Sequence, residues 1–252
     1  MEIVVADTWF APAPASADML SLFSEPAQWP NARAKVDTYL FYAQNCTYDE
    51  PNEHTGPNTY PALVAVDAFR KLREWGIRTA IEVGAVKPER CDGLACLSEA
   101  LMDVQKVEDA GGQVDALAID EPLTAALHLG CRMTLEQAAD VTAQFSGTVR
   151  DRGVKEIALV EAYPTNRAAE ILQFLRALEE RGAKPDALHL DIDQYAIRDK
   201  KKVFRDSIVQ QEIATLQLDA GMPVGFILMG QRARDEAEYC ADVRRLAAYF
   251  NR

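Results

Sequence analysis

Acidic residues stand at the ends of five of the seven segments that read as β-strands in this chain. Asp7 follows the run 2–6, Glu82 lies in Thr79 to Val86, and Asp120-Glu121 follow Val114 to Ile119. Glu161 follows Glu156 to Val160, and Asp191 and Asp193 lie in Ala187 to Asp193. A single acid at a strand end is explained as a cap on the next helix, because a helix N-terminus favours negative charge. Recurrence at five ends points instead to one shared site that uses carboxylates as proton donor and acceptor or as ligands for a divalent metal.

Such residues need elements that bring them together. In Ala187-Leu188-His189-Leu190-Asp191-Ile192-Asp193, Leu188, Leu190 and Ile192 fall on one face of a strand, and His189, Asp191 and Asp193 on the other. Three polar groups facing into a parallel sheet are costly unless water and a ligand reach them. Strand three repeats the pattern, with Ala80, Glu82 and Gly84 on one face and Ile81 and Val83 on the other. The remaining predicted strands are Val36 to Ala43 and Pro223 to Met229, and helices are predicted at Pro61 to Trp75, Leu94 to Ala110, Leu135 to Arg150, Arg167 to Arg181, Lys200 to Ala220 and Asp235 to Phe250. Strand and helix alternate seven times, which predicts a parallel sheet with helices outside it. No Gly-rich phosphate loop follows the first strand, so a (β/α) TIM-type barrel fits better than an open dinucleotide-binding sheet. Seven βα units are readable, an eighth strand is not identified, and the expectation is one domain over residues 1–252. In such barrels the chemistry sits at the C-terminal ends of the strands.

Paired carboxylates there suit cleavage of a glycosidic bond: one is kept protonated to donate to the leaving oxygen, and the other is ionised to attack the anomeric carbon or to activate water. Ile119-Asp120-Glu121-Pro122 resembles the acid/base segment of the TIM-barrel glycoside hydrolases, in which Asn-Glu-Pro commonly occupies that place. The resemblance implies that Glu121 is the general acid of a carbohydrate-active hydrolase that needs no cofactor. Asp120 stands where that family has Asn, and strand seven, Gly225-Phe226-Ile227-Leu228-Met229, carries no acid. The second carboxylate therefore falls to Glu161, or to one of Asp191 and Asp193. Substrate contacts are expected from Asp7, Trp9, Glu82, Lys87, Asp120, Tyr163, His189 and Tyr195. A rival arrangement is a sugar isomerase or epimerase of the xylose-isomerase-like type, in which Glu161, His189, Asp191 and Glu82 hold Mn²⁺ or Mg²⁺. A third is a non-catalytic barrel that stacks sugars on Trp9, Tyr163 and Tyr195.

Composition narrows the partners. The net charge of −12 disfavours nucleic acid and anionic membrane surfaces, both of which reward clustered Lys and Arg. The run Lys200-Lys201-Lys202 reads as a solvated helix face. No apolar run approaches the roughly 20 residues that cross a bilayer. An oligo- or polysaccharide is the expected partner. Cys46, Cys91, Cys96, Cys131 and Cys240 read as structural, with a Cys91 to Cys96 disulfide as the pairing that sequence proximity offers. The chain opens straight onto a strand with no leader. That fits a cytoplasmic protein, and equally a secreted or periplasmic one without its signal peptide, which is the expectation here.

Overall fold

The computed structural model describes residues 7–88, 90–194, 197, 206–230 and 233–250. Its strands are β1 (Trp9–Phe10), β2 (Thr38–Tyr42), β3 (Arg78–Val83), β4 (Ala116–Asp120), β5 (Glu156–Tyr163), β6 (Ala187–Ile192) and β7 (Val224–Ile227). All neighbours are parallel and pair in chain order, giving one curled seven-stranded sheet. No eighth strand occurs among the described residues, and β1 and β7 share no ladder. The predicted first-strand run 2–6 and the lysines 200–202 lie outside the described residues.

Eleven α-helices fill the connections among the described residues. They are α1 (Met19–Ser24), α2 (Pro30–Arg33), α3 (Ala43–Thr47), α4 (Tyr60–Ala65), α5 (Ala68–Glu74), α6 (Leu94–Asp109), α7 (Pro122–Leu127), α8 (Leu135–Asp151), α9 (Ala168–Glu180), α10 (Asp206–Asp219) and α11 (Glu236–Phe250). The helix expected over 61–75 is two helices, because Asp67 adopts a left-handed conformation (φ 55°) and turns the chain between them. None of the described helices is long and apolar enough to cross a membrane.

The two faces of the sheet differ in side-chain size. Tyr39, Phe41, Ile81, Val83, Leu117, Ile119, Ile157, Leu159, Leu188, Leu190 and Ile192 face outward and pack under the helices in the main core. The inner face carries Leu40, Ala80, Ala116, Ala118, Ala158, Val160 and Ala187. A curled parallel sheet leaves little room on its concave side, so alanine recurs there and the large side chains go outward. Burying a large aliphatic outward stabilises by roughly 1.5–3 kcal/mol per side chain, which fixes the parity of each strand and so decides which acids share the inner face.

The disulfide corrects the sequence expectation. Cys91 is bonded to Cys131, not to Cys96, with 40 residues between them in sequence and a Cα–Cα distance of 5.5 Å. The loops after β3 and after α7 meet at the C-terminal end of the sheet. Cys96 is turned into the core by the first turn of α6 and remains a free thiol.

Candidate active site at the strand ends

Register places three acids on the inner face toward the C-terminal end, and a fourth, Glu121, follows Asp120 in the chain. Glu82 on β3 is level with Tyr42 on β2 and Ala118 on β4. Asp120 ends β4 level with Val160, and Asp191 near the end of β6 is level with Ala162 and Ile227. Glu121 follows immediately and is the N-cap of α7 in a left-handed conformation (φ 46°, ψ 47°). Pro122 at the first helical position disfavours the right-handed helical region for Glu121, and two backbone hydrogen bonds fix the left-handed conformation instead. For a non-glycine residue the conformation costs on the order of 1 kcal/mol. It is held by the Glu121 N–H donating to Val160 O at 3.0 Å and by Ala125 N–H donating to Glu121 O at 2.9 Å.

These carboxyls act on one another. Burial, then Asp120, pushes Glu82 up to about 8, with Asp191 and Glu121 adding and Lys87 opposing. Burial, then Asp120 and Asp191, pushes Glu121 up to about 7. Asp191 is raised by burial, by Asp120 and by Asp193, and its Oδ1 is buried without a partner. Lys87 is the cation among them. Its ammonium pairs with Asp120, and although burial works against its charge, Asp120, Glu82 and Glu121 shift it upward overall. Lys87 reaches Asp120 by folding back over Gly84, where a Cβ would lie 2.6 Å from Lys87 Cγ. Lys87, placed by its spacing near the end of β3, pairs directly with Asp120 and acts on Glu82 through its charge alone. Tyr42 also faces this group, with its phenol raised by burial and then by Glu82, Asp120 and Asp191. The site thus brings carboxyls whose proton affinity is raised, Glu82 and Glu121, beside one, Asp120, that is paired with a cation, which is the division of labour acid–base chemistry needs.

Several expected residues lie elsewhere. Glu161 shares the outward parity of Ile157 and Leu159, because β5 runs three residues beyond the predicted end at Val160. It is fully buried. Its carboxylate accepts from Leu123 N–H (2.8 Å), Thr124 N–H (3.3 Å), Thr124 Oγ1 (3.1 Å) and Asn166 Nδ2 (2.8 Å), so it holds the first turn of α7. Burial pushes it up to about 8 against the pull of those donors. Tyr163 is also fully buried on the outer face, and its hydroxyl donates to Glu212 at 2.8 Å, so it offers no stacking surface at the mouth. Asp7 precedes β1 at the N-terminal end of the sheet, where it and Glu156 pair with Arg78, the first residue of β3. Trp9 and His189 do face inward, but against each other, in an edge-to-face contact at 4.7 Å. Burial lowers His189 to about 4, so the ring is neutral at physiological pH. Asp193 lies just past β6 and donates its N–H to Tyr163 O at 2.8 Å. Tyr195 lies outside the described residues.

The set Glu161, His189, Asp191 and Glu82 is therefore divided between the two faces. No group of three His, Cys, Asp or Glu side chains among the described residues has an arrangement that could hold a metal ion. Tyr42 and Gly84 are the site residues that sequence reasoning missed. The register of Tyr42 against Glu82 and the spacing of Gly84 from Lys87 were the available signals.

Solved structures define the class of fold. The chain is similar to a fungal β-1,4-galactanase (TM-score 0.55, 13% identity, covering 88% of this chain and 71% of that one). It is similar to a β-glucosidase in its apo form (TM-score 0.53, 13% identity, 91% and 74%). It is also similar to the GH53 catalytic domain of Ignisphaera aggregans (TM-score 0.53, 12% identity, 92% and 66%). The curled parallel sheet is similar to that of these TIM-barrel structures, at an identity that speaks for the fold alone. No protein-family model matches the chain, and no curated protein matches it.

Proposed function

We propose that this protein is a carbohydrate-active hydrolase that cleaves a glycosidic bond at the C-terminal ends of its strands. The curled sheet would then be the larger part of a (β/α) barrel. One observation carries the reading: Glu82, Asp120 and Asp191 share the concave face with Glu121 beside them, and Asp120 and Asp191 raise the proton affinity of Glu82 and Glu121. Glu121, held up to about 7, is the general acid that donates to the leaving oxygen. The role assigned from sequence to Glu161 passes to Asp191, which lies on the concave face, acts on Glu121 and has an unpartnered oxygen for the anomeric carbon or for a water. Lys87 keeps Asp120 paired and limits how many of the remaining acids take up protons. Asp193 tunes Asp191, and Tyr42 and Glu82 are placed to contact sugar hydroxyls. The chemistry needs no cofactor.

The test is a panel of aryl glycosides and oligosaccharides assayed for released reducing ends, with and without EDTA, on the wild type and on Glu121→Gln and Asp191→Asn. Loss of turnover in both variants with EDTA-resistant activity in the wild type supports the assignment. Turnover unchanged in either variant removes that residue from it. A panel that binds without turning over would make this a carbohydrate-binding protein.

A further inference from the structure

A second feature lies beside the carboxylate site, on the outer side of Gly84 and Lys87. There α3, α6 and the residues after β3 enclose a cavity of about 230 Å³, and its polar walls are Gln44, Thr47, Tyr48, Arg90, Glu99 and Asp103. Lys87 also lines it, so the two sites share one side chain.

Asp103 is fully buried. Thr47 Oγ1 lies 3.0 Å from Ala43 O and 3.0 and 3.1 Å from the two Asp103 oxygens. One hydroxyl proton cannot serve both neighbours. Thr47 Oγ1 donates either to the Asp103 carboxylate or to Ala43 O, so these contacts hold the Asp103 side chain in place at the cavity wall. Burial pushes Asp103 up to about 7, against the pull of the Thr47 hydrogen bond and of Lys106. Lys106 and Glu99 on α6 and Cys46 on α3 also face Asp103.

Charge in the cavity is already spoken for. Arg90 pairs with Glu99 and Lys87 with Asp120, so neither cation is free to capture an anion, and Lys106 on α6 already opposes the charge of Asp103. The remaining groups are an amide, a hydroxyl, a carboxyl and paired ions that donate and accept in roughly equal measure. Tyr48, 43% exposed at the rim, adds a flat apolar surface. The volume lies below the ~300–1,000 Å³ of pockets for drug-sized ligands, which suits one ring and not a chain.

We infer that this cavity binds a single neutral sugar or comparable polyol, as a site distinct from the carboxylate cluster and joined to it through Lys87. The choice of a sugar among polyols rests on the carbohydrate reading above. The preference for a neutral, hydroxyl-rich ligand rests on the cavity alone.

The experiment titrates the whole protein with D-galactose, D-glucose and glycerol, and with D-galacturonate as a charged control, following backbone amide shifts. The expected result is saturable movement at Gln44, Thr47 and Arg90 with a neutral sugar and weaker binding of galacturonate. Ala100→Phe, which fills the cavity, and Tyr48→Ala, which removes the rim surface, should each weaken binding about tenfold. Tyr48 is exposed, so its variant remains decisive if Ala100→Phe does not fold. Glu121→Gln should leave this binding unchanged, which separates the cavity from the hydrolase: a panel without turnover overturns the hydrolase and leaves the cavity standing. The inference is overturned if no neutral polyol moves these amides, if affinity survives both cavity variants, or if galacturonate binds more tightly than the neutral sugars.

Discussion

Glu121 is close enough to act on Glu161, and burial raises both, yet Glu161 lies on the outer face of β5 and Glu121 beside the inner-face acids at the head of α7, and they do different work. Glu161 is answered by four donors and is completely enclosed. Glu121 is answered mainly by other carboxylates, with Lys87 the opposing cation. A buried acid whose oxygens are all taken is part of the scaffold, whereas one that its neighbours leave unsatisfied keeps a proton to give. Raised proton affinity alone does not separate the two; the partners do.

The sharpest way to break this contrast is to truncate each residue. Glu161→Ala leaves the N–H groups of Leu123 and Thr124 and the Asn166 amide without an acceptor, and should cost about 3 kcal/mol or more in denaturant unfolding. Glu121→Gln should leave stability within about 0.5 kcal/mol of wild type or raise it slightly, while lowering turnover of an identified glycoside by roughly 10²–10⁴-fold. If the two variants exchanged these effects, the assignment of faces would be wrong.

A second test uses pH. Glu82, Glu121 and Glu161 are all raised from an ordinary value of 4.5, to about 8, 7 and 8. A carboxyl held more tightly protonated in the folded state supports folding fully below its unfolded value and loses that support as pH rises through its folded value. His189, lowered to about 4, acts in the other direction, losing its contribution as pH falls from 6.5 toward 4. Thermal stability should therefore peak well on the acid side of neutrality and fall as pH rises from about 4.5 to above 8, with His189 offsetting part of the loss below 6.5. A midpoint that keeps rising through pH 8 would contradict the direction of these shifts.

The parity of small and large residues explains what could be read in advance. Ala80, Glu82 and Gly84 alternate with Ile81 and Val83, so β3 was assigned to the correct faces from sequence. The same rule applied to β5 would have paired Glu161 with Ile157 and Leu159 and turned it outward. It was missed because the strand was ended at Val160, and an acid just past a strand end reads as part of the mouth. Asp7 was misplaced for the converse reason: β1 begins at Trp9, so Asp7 lies before the strand, at the opposite end of the sheet. The Cys91–Cys131 bond and the edge-to-face pair of Trp9 and His189 join distant segments. Neither leaves a local pattern for a single sequence to show.

The smallest expected effects come from the one cation. Lys87→Met removes the positive charge that opposes proton uptake by Glu82 and Glu121, so both should hold their protons to higher pH. Because the general acid must be protonated, the fall in turnover as pH rises through about 7 should move toward alkaline pH in this variant. Gly84→Ala asks the same question with less chemistry changed. An added Cβ would lie 2.6 Å from Lys87 Cγ and 2.7 Å from Lys87 Cε, so the side chain must leave its path over β3 and loosen its hold on Asp120. The lysine is flexible, so the cost in stability should stay under about 1 kcal/mol, and the alkaline limb should move in the same direction as in Lys87→Met but less far. An alkaline limb that does not move in Gly84→Ala, with Lys87→Met shifting as expected, would show that the charge of Lys87 acts on Glu121 from more than one position, and that its seat over Gly84 is incidental.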